Sequence, residues 1–291
     1  MNIKQRKIIT AELVQLVART SANRVAAQVG ISAAAISQIV NQNWDAIGIK
    51  TWLLIETKLR IDSKWKSAET SNFTDLQNLL GNCQINSLAL AIVSEAGCGK
   101  SHGYRTYARE NDNVLHIECA NYWSKREYIH RLLEAAGLRK YGTTSEMVAR
   151  FINHLNTTPT PLVIIDQFDK LREPSLDLFM DLYNETHNKC GFILSGVRAM
   201  EKRIRSGVAR NKIGYNELFS RVGRTFIKLK LLSQADVLMI CKANGLENED
   251  EIIAIYNSCE GDIRRVRRSV ERWHILGKKN FKKQMKDQKT A

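Results

Sequence analysis

The densest chemical signal in the chain is the run Ser94-Glu-Ala-Gly-Cys-Gly-Lys-Ser101. Gly99, Lys100 and Ser101 complete the phosphate-loop pattern G-x-x-x-x-G-K-[ST], with Ser94 standing where the pattern has its first glycine. Glycine at 97 and 99 lets backbone N–H groups wrap a phosphate chain, and a helix that starts here presents its positive end to it. Lys100 has the reach to meet the β- and γ-phosphates of ATP, and the Ser101 hydroxyl is an oxygen ligand suited to Mg²⁺. Ala96, Gly97, Cys98, Gly99, Lys100, Ser101 and His102 are therefore the candidate nucleotide-binding residues.

A carboxylate partner for the metal is expected at the end of a buried strand. Leu162-Val-Ile-Ile-Asp166 supplies it, 66 residues after Lys100. Four consecutive apolar residues suit a strand covered on both faces, and Asp166 falls at its C-terminal end, where open α/β sheets bind ligands. Ser101 and Asp166 are the candidate Mg²⁺ ligands. Gln167 follows directly. An amide cannot take up a proton at neutral pH but can orient a water, so slow hydrolysis is expected. Asp169 is the nearest carboxylate and reads most simply as the cap of the next helix. Gly191-Phe-Ile-Leu-Ser195-Gly is a second buried strand, and Ser195 is either a γ-phosphate sensor or simply its polar end. Arg221, in Leu218-Phe-Ser-Arg-Val-Gly-Arg224, has the form of an arginine finger that reaches a neighbouring subunit's ATP. Gln167, Ser195 and Arg221 form the candidate catalytic set.

These residues need a parallel sheet behind them. Leu88–Val93 reads as the strand that feeds the phosphate loop, His102–Arg109 as the helix after it, and Thr225–Leu229 as a later strand. Ser233–Leu276 reads as helical throughout, with Gly261-Asp-Ile-Arg264-Arg inside it.

The first sixty residues have another character. Thr10–Ala18 carries a helical apolar pattern behind a Thr cap, and Ala22–Val29 follows with Val25, Ala26 and Val29 on one face. Gly30 suits a left-handed turn, and Ser32 can cap a third helix, Ala33–Asn41, with Ile36, Ile39 and Val40 inward and Ser37, Gln38 and Asn41 outward. Helix, glycine turn and Ser-capped helix form a helix-turn-helix signature. Ser37 and Gln38 are the candidate DNA contacts on its exposed face, which has no arginine to read bases, so contact is expected to be weak or non-specific. A helical bundle used for protein contacts is the alternative.

The net charge of the 291-residue chain is +14, and its placement is informative. Residues 1–66 carry ten Lys/Arg against four acids, residues 261–291 carry eleven against three, and the stretch between balances at 23 each. A basic surplus confined to the two ends fits a polyanion partner, duplex DNA above all; for the last fourteen residues a solvated tail serves equally well. No stretch approaches the roughly 20 apolar residues a membrane helix needs, and the N-terminal charges have no apolar run behind them. A cytoplasmic protein with no membrane association is expected. The six cysteines have neither C-x-x-C nor zinc spacing and read as small core residues in a reducing compartment.

Taken in order, the helix-turn-helix segment NRVAAQVGISAAAISQIVNQ, Glu69-Thr70, AGCGKS, VIIDQFDKL, ILSGV, LFSRVGR and GDIRRV resemble the transposition-regulating AAA+ ATPases of the phage Mu B protein and TnsC type, from about residue 1 to 276. The first of these segments also resembles the lambda-repressor-like class, which implies that Ala26 and Ala27 fill the contact between two helices. The wider resemblance implies an α/β fold: a P-loop AAA+ core with a five-stranded parallel sheet flanked by helices, an N-terminal helix-turn-helix domain and a C-terminal helical lid. The expected boundaries are 1–66, 67–230 and 231–277, with a basic tail over 278–291. It implies that Arg264 is the second sensor of the lid, and that Gln167 stands where many AAA+ ATPases carry the glutamate that activates water. It further implies ATP-bound subunits that assemble as filaments or other homo-oligomers on duplex DNA, mark a target and stimulate a transposase. By position, the loop after Leu115-His-Ile-Glu-Cys-Ala holds Lys125 and Arg126, and the loop after Asp166 holds Lys170 and Arg172; all four are either DNA contacts or solvated surface charge. The expected function is a DNA-stimulated ATPase for target selection. The alternatives are an ATP-gated transcriptional regulator and a replication initiator or helicase loader.

Overall fold

The computed structural model describes residues 1–287, with side chains through residue 277. The chain divides into two compact units, Met1–Ala68 and Glu69 onward. The charges expected to form a basic tail over 278–291 lie outside the described side chains.

The first unit has four helices, α1 (Ile3–Arg19), α2 (Ala22–Val29), α3 (Ala33–Val40) and α4 (Ile49–Lys58). Helix α1 begins well before Thr10, because Asn2 and Gln5 form a reciprocal capping box that starts the helix there. Thr10 is buried inside it and is no cap. Ser21 and Ser32 cap α2 and α3, and Gly30 takes the left-handed turn between them at φ 84°. Val25, Ala26, Val29, Ile36 and Ile39 pack with Ile9, Leu13, Trp52 and Ile55 into one core. Ala27 is exposed, so Ala26 alone of that pair fills the core side of α2. Ser37, Gln38 and Asn41 face solvent.

The second unit runs α5 (Ser71–Ile85), β1 (Ala89–Val93), α6 (Lys100–Glu110), β2 (Val114–Glu118), α7 (Lys125–Ala135), α8 (Thr144–Thr157) and β3 (Leu162–Asp166). It continues through α9 (Glu173–Glu185), β4 (Gly191–Gly196), α10 (Arg198–Ala209), α11 (Tyr215–Arg221) and β5 (Phe226–Ile227). Three further helices follow, α12 (Gln234–Ala243), α13 (Glu249–Cys259) and α14 (Ile263–Asp287), the last broken at Gly277. The strands form one parallel sheet in the order β2-β3-β4-β1-β5. Parallel strands need crossovers, and the helices supply them on both faces. Alternate residues of the central strands serve the two sides. Val163, Ile165, Phe192 and Leu194 pack with Ile129, Phe151, Phe179 and Ile204, whereas Ile92, Ile164 and Ile193 pack with Leu76, Leu80 and Tyr104. Every residue of β3 and β4 is buried, which is why both read as unbroken apolar runs.

Two expected elements are shorter than their sequence pattern. Of Thr225–Leu229 only Phe226 and Ile227 form strand, paired beside Ala91 and Ile92 at the sheet edge. The expected continuous helix over 233–276 is three helices. Gly245 (φ 83°), Glu260 (φ 50°) and Gly261 (φ 75°) adopt left-handed backbone that a helix cannot hold, and Gly261 therefore lies in a turn ahead of α14.

Candidate functional site

The site forms where β1, β3 and β4 end. Strand β1 runs into the loop 94–99, whose Gly97 (φ 87°) and Gly99 (φ 91°) take left-handed backbone, and Lys100 opens α6. The Lys100 ammonium is almost fully buried and donates to the carbonyls of Ser94 (2.8 Å) and Glu95 (3.0 Å), so the loop closes around it. Cys98 is buried beneath the loop, while Ala96 and His102 are exposed; the His102 ring lies 6.1 Å from that of Phe73 on α5. Ser94 has a defined role in place of glycine: its hydroxyl accepts the N–H of Leu229 at 2.7 Å and ties the segment after β5 to the start of the loop. Glu95 is ion-paired with Arg198 at the start of α10.

Across the loop, the Ser101 hydroxyl donates to Asp166 Oδ2 at 2.5 Å, and the Gln167 N–H donates to Asp166 Oδ1 at 2.8 Å. A hydroxyl and a carboxylate, both hard oxygen donors at the end of a parallel sheet, fit Mg²⁺ bound beside a phosphate chain. Among the described residues no group of three or more His, Cys, Asp or Glu side chains converges on a metal position, and Mg²⁺ with phosphate and water ligands needs none. Gln167 is a non-glycine residue in left-handed backbone (φ 57°, ψ 38°), and its amide oxygen accepts from the Lys170 ammonium.

Ser195 is fully buried one residue beyond the paired positions Ile165 and Leu194, and its hydroxyl has no protein hydrogen-bond partner. Tyr104 of α6, not singled out by its sequence pattern, stands behind it. Burial, then the charge of Asp166, pushes the Tyr104 pKa well above 10. No spacing rule marks such a residue; only the packing of α6 on the sheet brings it there.

The three C-terminal helices meet the loop through the turn before α14. The Ile263 N–H donates to the Gly97 carbonyl at 2.9 Å, and a Cβ added at Gly97 would collide with the Asp262 carboxylate. Arg264 follows directly on Ile263, and Asp262 holds both its N–H (2.8 Å) and its guanidinium (3.2 Å). Asp262 lies within the motif read from sequence, yet its glycine-aspartate pair ahead of a helix was the only local sign of its position. A second tie joins α5 to α12. The Asn72 side chain brackets Lys230, and the buried Asp236 carboxylate accepts from the N–H and hydroxyl groups of Ser71 and Ser233 at 2.7–3.0 Å. Burial raises the Asp236 pKa, but these bonds outweigh it and hold the carboxyl below its ordinary value.

Other sequence-selected residues lie away from this cluster. Arg221 ends α11, where Glu217 pairs with it at 3.3 Å and its guanidinium lies 5.3 Å from the Tyr183 ring centre; Arg224 is exposed. Lys125 and Arg126 are not in a loop: Ser124 caps α7 just before them. Lys125 pairs with Asp181 at 3.9 Å, and Arg126 donates to the Gly142 carbonyl at 3.0 Å. Lys170 lies in the short 3₁₀ turn Phe168–Lys170, and Arg172 precedes α9 with its side chain exposed. Asp169 does not cap that helix. It is inside the 3₁₀ turn, its carboxylate accepting weakly from the Val197 N–H at 3.4 Å.

The strand order, the phosphate loop at the end of β1 and the carboxylate at the end of β3 define an AAA+ P-loop fold. Residues 85–204 match the family described as an AAA domain. No curated protein matches the chain. Among solved structures, the Aeropyrum pernix Orc1 protein in complex with DNA is similar with a TM-score of 0.54 at 14% identity, over 79% of this chain and 68% of that one. A DNA replication initiation factor is similar with a TM-score of 0.49 at 15% identity, over 75% and 64%. NtrX from Brucella abortus in complex with ATP has a TM-score of 0.49 at 13% identity, over 84% and 60%. The chain thus spans less than two thirds of the last two proteins. Among the described residues no helix is long and apolar enough to cross a membrane.

Proposed function

We propose that this chain is an ATP-dependent, DNA-binding AAA+ ATPase that assembles on duplex DNA, selects target DNA and stimulates a transposase. The observation that carries the nucleotide part is the 2.5 Å bond between Ser101 and Asp166, which joins the phosphate loop to the buried strand end with Lys100 enclosed beside it. In this reading Ala96 to His102 hold the phosphates and Ser101 and Asp166 hold Mg²⁺, which when bound neutralises charge on the β- and γ-phosphates. Gln167 orients the attacking water, Ser195 meets the γ-phosphate, Arg264 closes over it, and Arg221 is offered to the neighbouring subunit's nucleotide. Hydrolysis is slow because an amide orients water without accepting its proton.

The DNA part rests on charge. The first unit carries a surplus of six positive charges, yet α3 and the Asn41 that ends it expose Ser37, Gln38 and Asn41 with no cation among them. Such a surface favours phosphate contacts over base reading. Lys125, Arg126, Lys170 and Arg172 are the candidate contacts of the second unit. The transposase and the filament rest on the resemblance to the Mu B and TnsC type.

The test is electron microscopy of the protein with ATP and plain duplex DNA, beside a salt titration of binding. Continuous filaments, with binding that is ATP-dependent and steeply salt-sensitive, support the reading. Isolated rings move the protein to the initiator or loader class. Tight binding to one operator with a shallow salt slope makes it a regulator.

A further inference from the structure

We propose that Lys170 restrains Gln167, and that a phosphate backbone in the adjoining groove releases it, which couples nucleic-acid contact to ATP turnover. The inference rests on the reading of Gln167 as the water-orienting residue.

Gln167 has little freedom of its own. Its backbone is left-handed, its N–H is engaged by Asp166 Oδ1, and its carbonyl accepts the Lys170 N–H at 3.0 Å. The buried Phe168 and Leu171 anchor the turn that carries Lys170. What remains adjustable is the side-chain amide, and Lys170 donates to its oxygen, the acceptor an attacking water needs.

Lys170 also lines a groove with Asn121, Asp169, Arg172, Glu173 and Arg203. The Asp169 carboxylate faces the Val197 N–H, which donates to it at 3.4 Å. Two of the other charges are already committed. The Arg203 guanidinium serves the Leu171 carbonyl at 2.5 Å and the Tyr215 hydroxyl at 3.0 Å, and Glu173 is paired with Lys212. Lys170 and Arg172 are the groove cations able to meet an anion. An ammonium on a neutral amide is a charge–dipole contact, whereas an ammonium on a phosphate is a charge–charge contact and stronger. A duplex backbone in the groove therefore draws Lys170 off Gln167, and the freed oxygen can orient water. Lys170 is a positioning residue, acting through Gln167.

The experiment measures phosphate release by the full chain with and without plain duplex DNA, together with ATP affinity, for the parent, Lys170→Ala, Lys170→Arg and both Lys170 variants on a Gln167→Ala background. Lys170→Ala is expected to raise the DNA-free rate by roughly three- to tenfold, to bring the stimulation by DNA close to one, and to leave ATP affinity unchanged. Lys170→Arg restores both the low basal rate and the stimulation, and on the Gln167→Ala background neither change has an effect. An unchanged basal rate with full stimulation in Lys170→Ala overturns the inference, as does the same rate increase when Gln167 is absent; in both cases the ATPase reading stands. A parent that binds no ATP, or releases no phosphate under either condition, overturns the ATPase reading and the inference together.

Discussion

The Asp262 carboxylate lies against the α-carbon of Gly97, and the next N–H, that of Ile263, donates to the Gly97 carbonyl at 2.9 Å. The C-terminal helices are thus docked on the phosphate loop through one backbone bond and a side chain whose charge opposes that of a nucleotide. The same carboxylate holds Arg264, the cation proposed to meet the γ-phosphate. Asp262→Asn keeps a cap for α14 and removes the charge, so ATP should bind several-fold more tightly than to the parent. Isothermal titration measures it, and weaker binding would mean that the carboxylate orders Arg264 for its contact instead of competing for it.

Gly97→Ala meets two obstacles, left-handed backbone and the Asp262 side chain. The backbone alone costs about 1–2 kcal/mol, and the collision must displace the start of α14. Lower thermal stability and loss of ATP-induced stabilisation are expected together. A variant that kept both would show that the helices undock without consequence.

Lys100→Ala should abolish ATP binding, because the γ-phosphate loses its main positive partner and the carbonyls of Ser94 and Glu95 lose their donor. Wild-type affinity in this variant, measured with a fluorescent ATP analogue, would remove the phosphate-loop assignment.

Arg221 pairs with Glu217 and lies over Tyr183 of the same chain, so in the proposed assembly a neighbour's phosphate must compete with an exposed carboxylate. Arg221→Ala should leave ATP affinity nearly intact while preventing ATP-dependent assembly on DNA, read by sedimentation. Arg224→Ala is the parallel variant: if it alone blocks assembly, the finger is the exposed Arg224.

Asp236 gives a pH dependence with a defined sign. Its folded-state pKa lies below the ordinary value of 3.8, so its stabilisation is fully present above about pH 3.8 and is lost as the pH falls from there through the folded value. Asp236→Asn should lower stability by about 2–3 kcal/mol at neutral pH, the scale of losing hydrogen bonds to a buried charge. The gap to the parent should close in urea melts below pH 3.8. A gap that stayed constant with pH would mean the loss is steric.

The sequence alone determined the parts that depend on neighbouring residues. A buried parallel strand must be apolar along its length, so β3 was readable to the residue, with Asp166 at its end. A phosphate loop needs glycines and a lysine at fixed spacing, and a helix in the first unit needs its cap and its turn residue, so 94–101 and Ser21 through Val40 were legible too. Tertiary structure decided what depends on contacts between distant segments. Ser94 stands where the pattern has glycine, and only the fold supplies its role, bringing to its hydroxyl the N–H of Leu229 from 135 residues away. Asp169 looked like a cap, but buried Phe168 and Leu171 close the chain into a 3₁₀ turn ahead of α9. Tyr104 and the Lys170 bond to Gln167 carry no pattern, and the contact of Asp262 with the phosphate loop is not in its motif, because a side chain's partner is set by the packing of whole helices on the sheet. Local propensity chooses the elements; the pairing of charges across them exists only once the chain has folded.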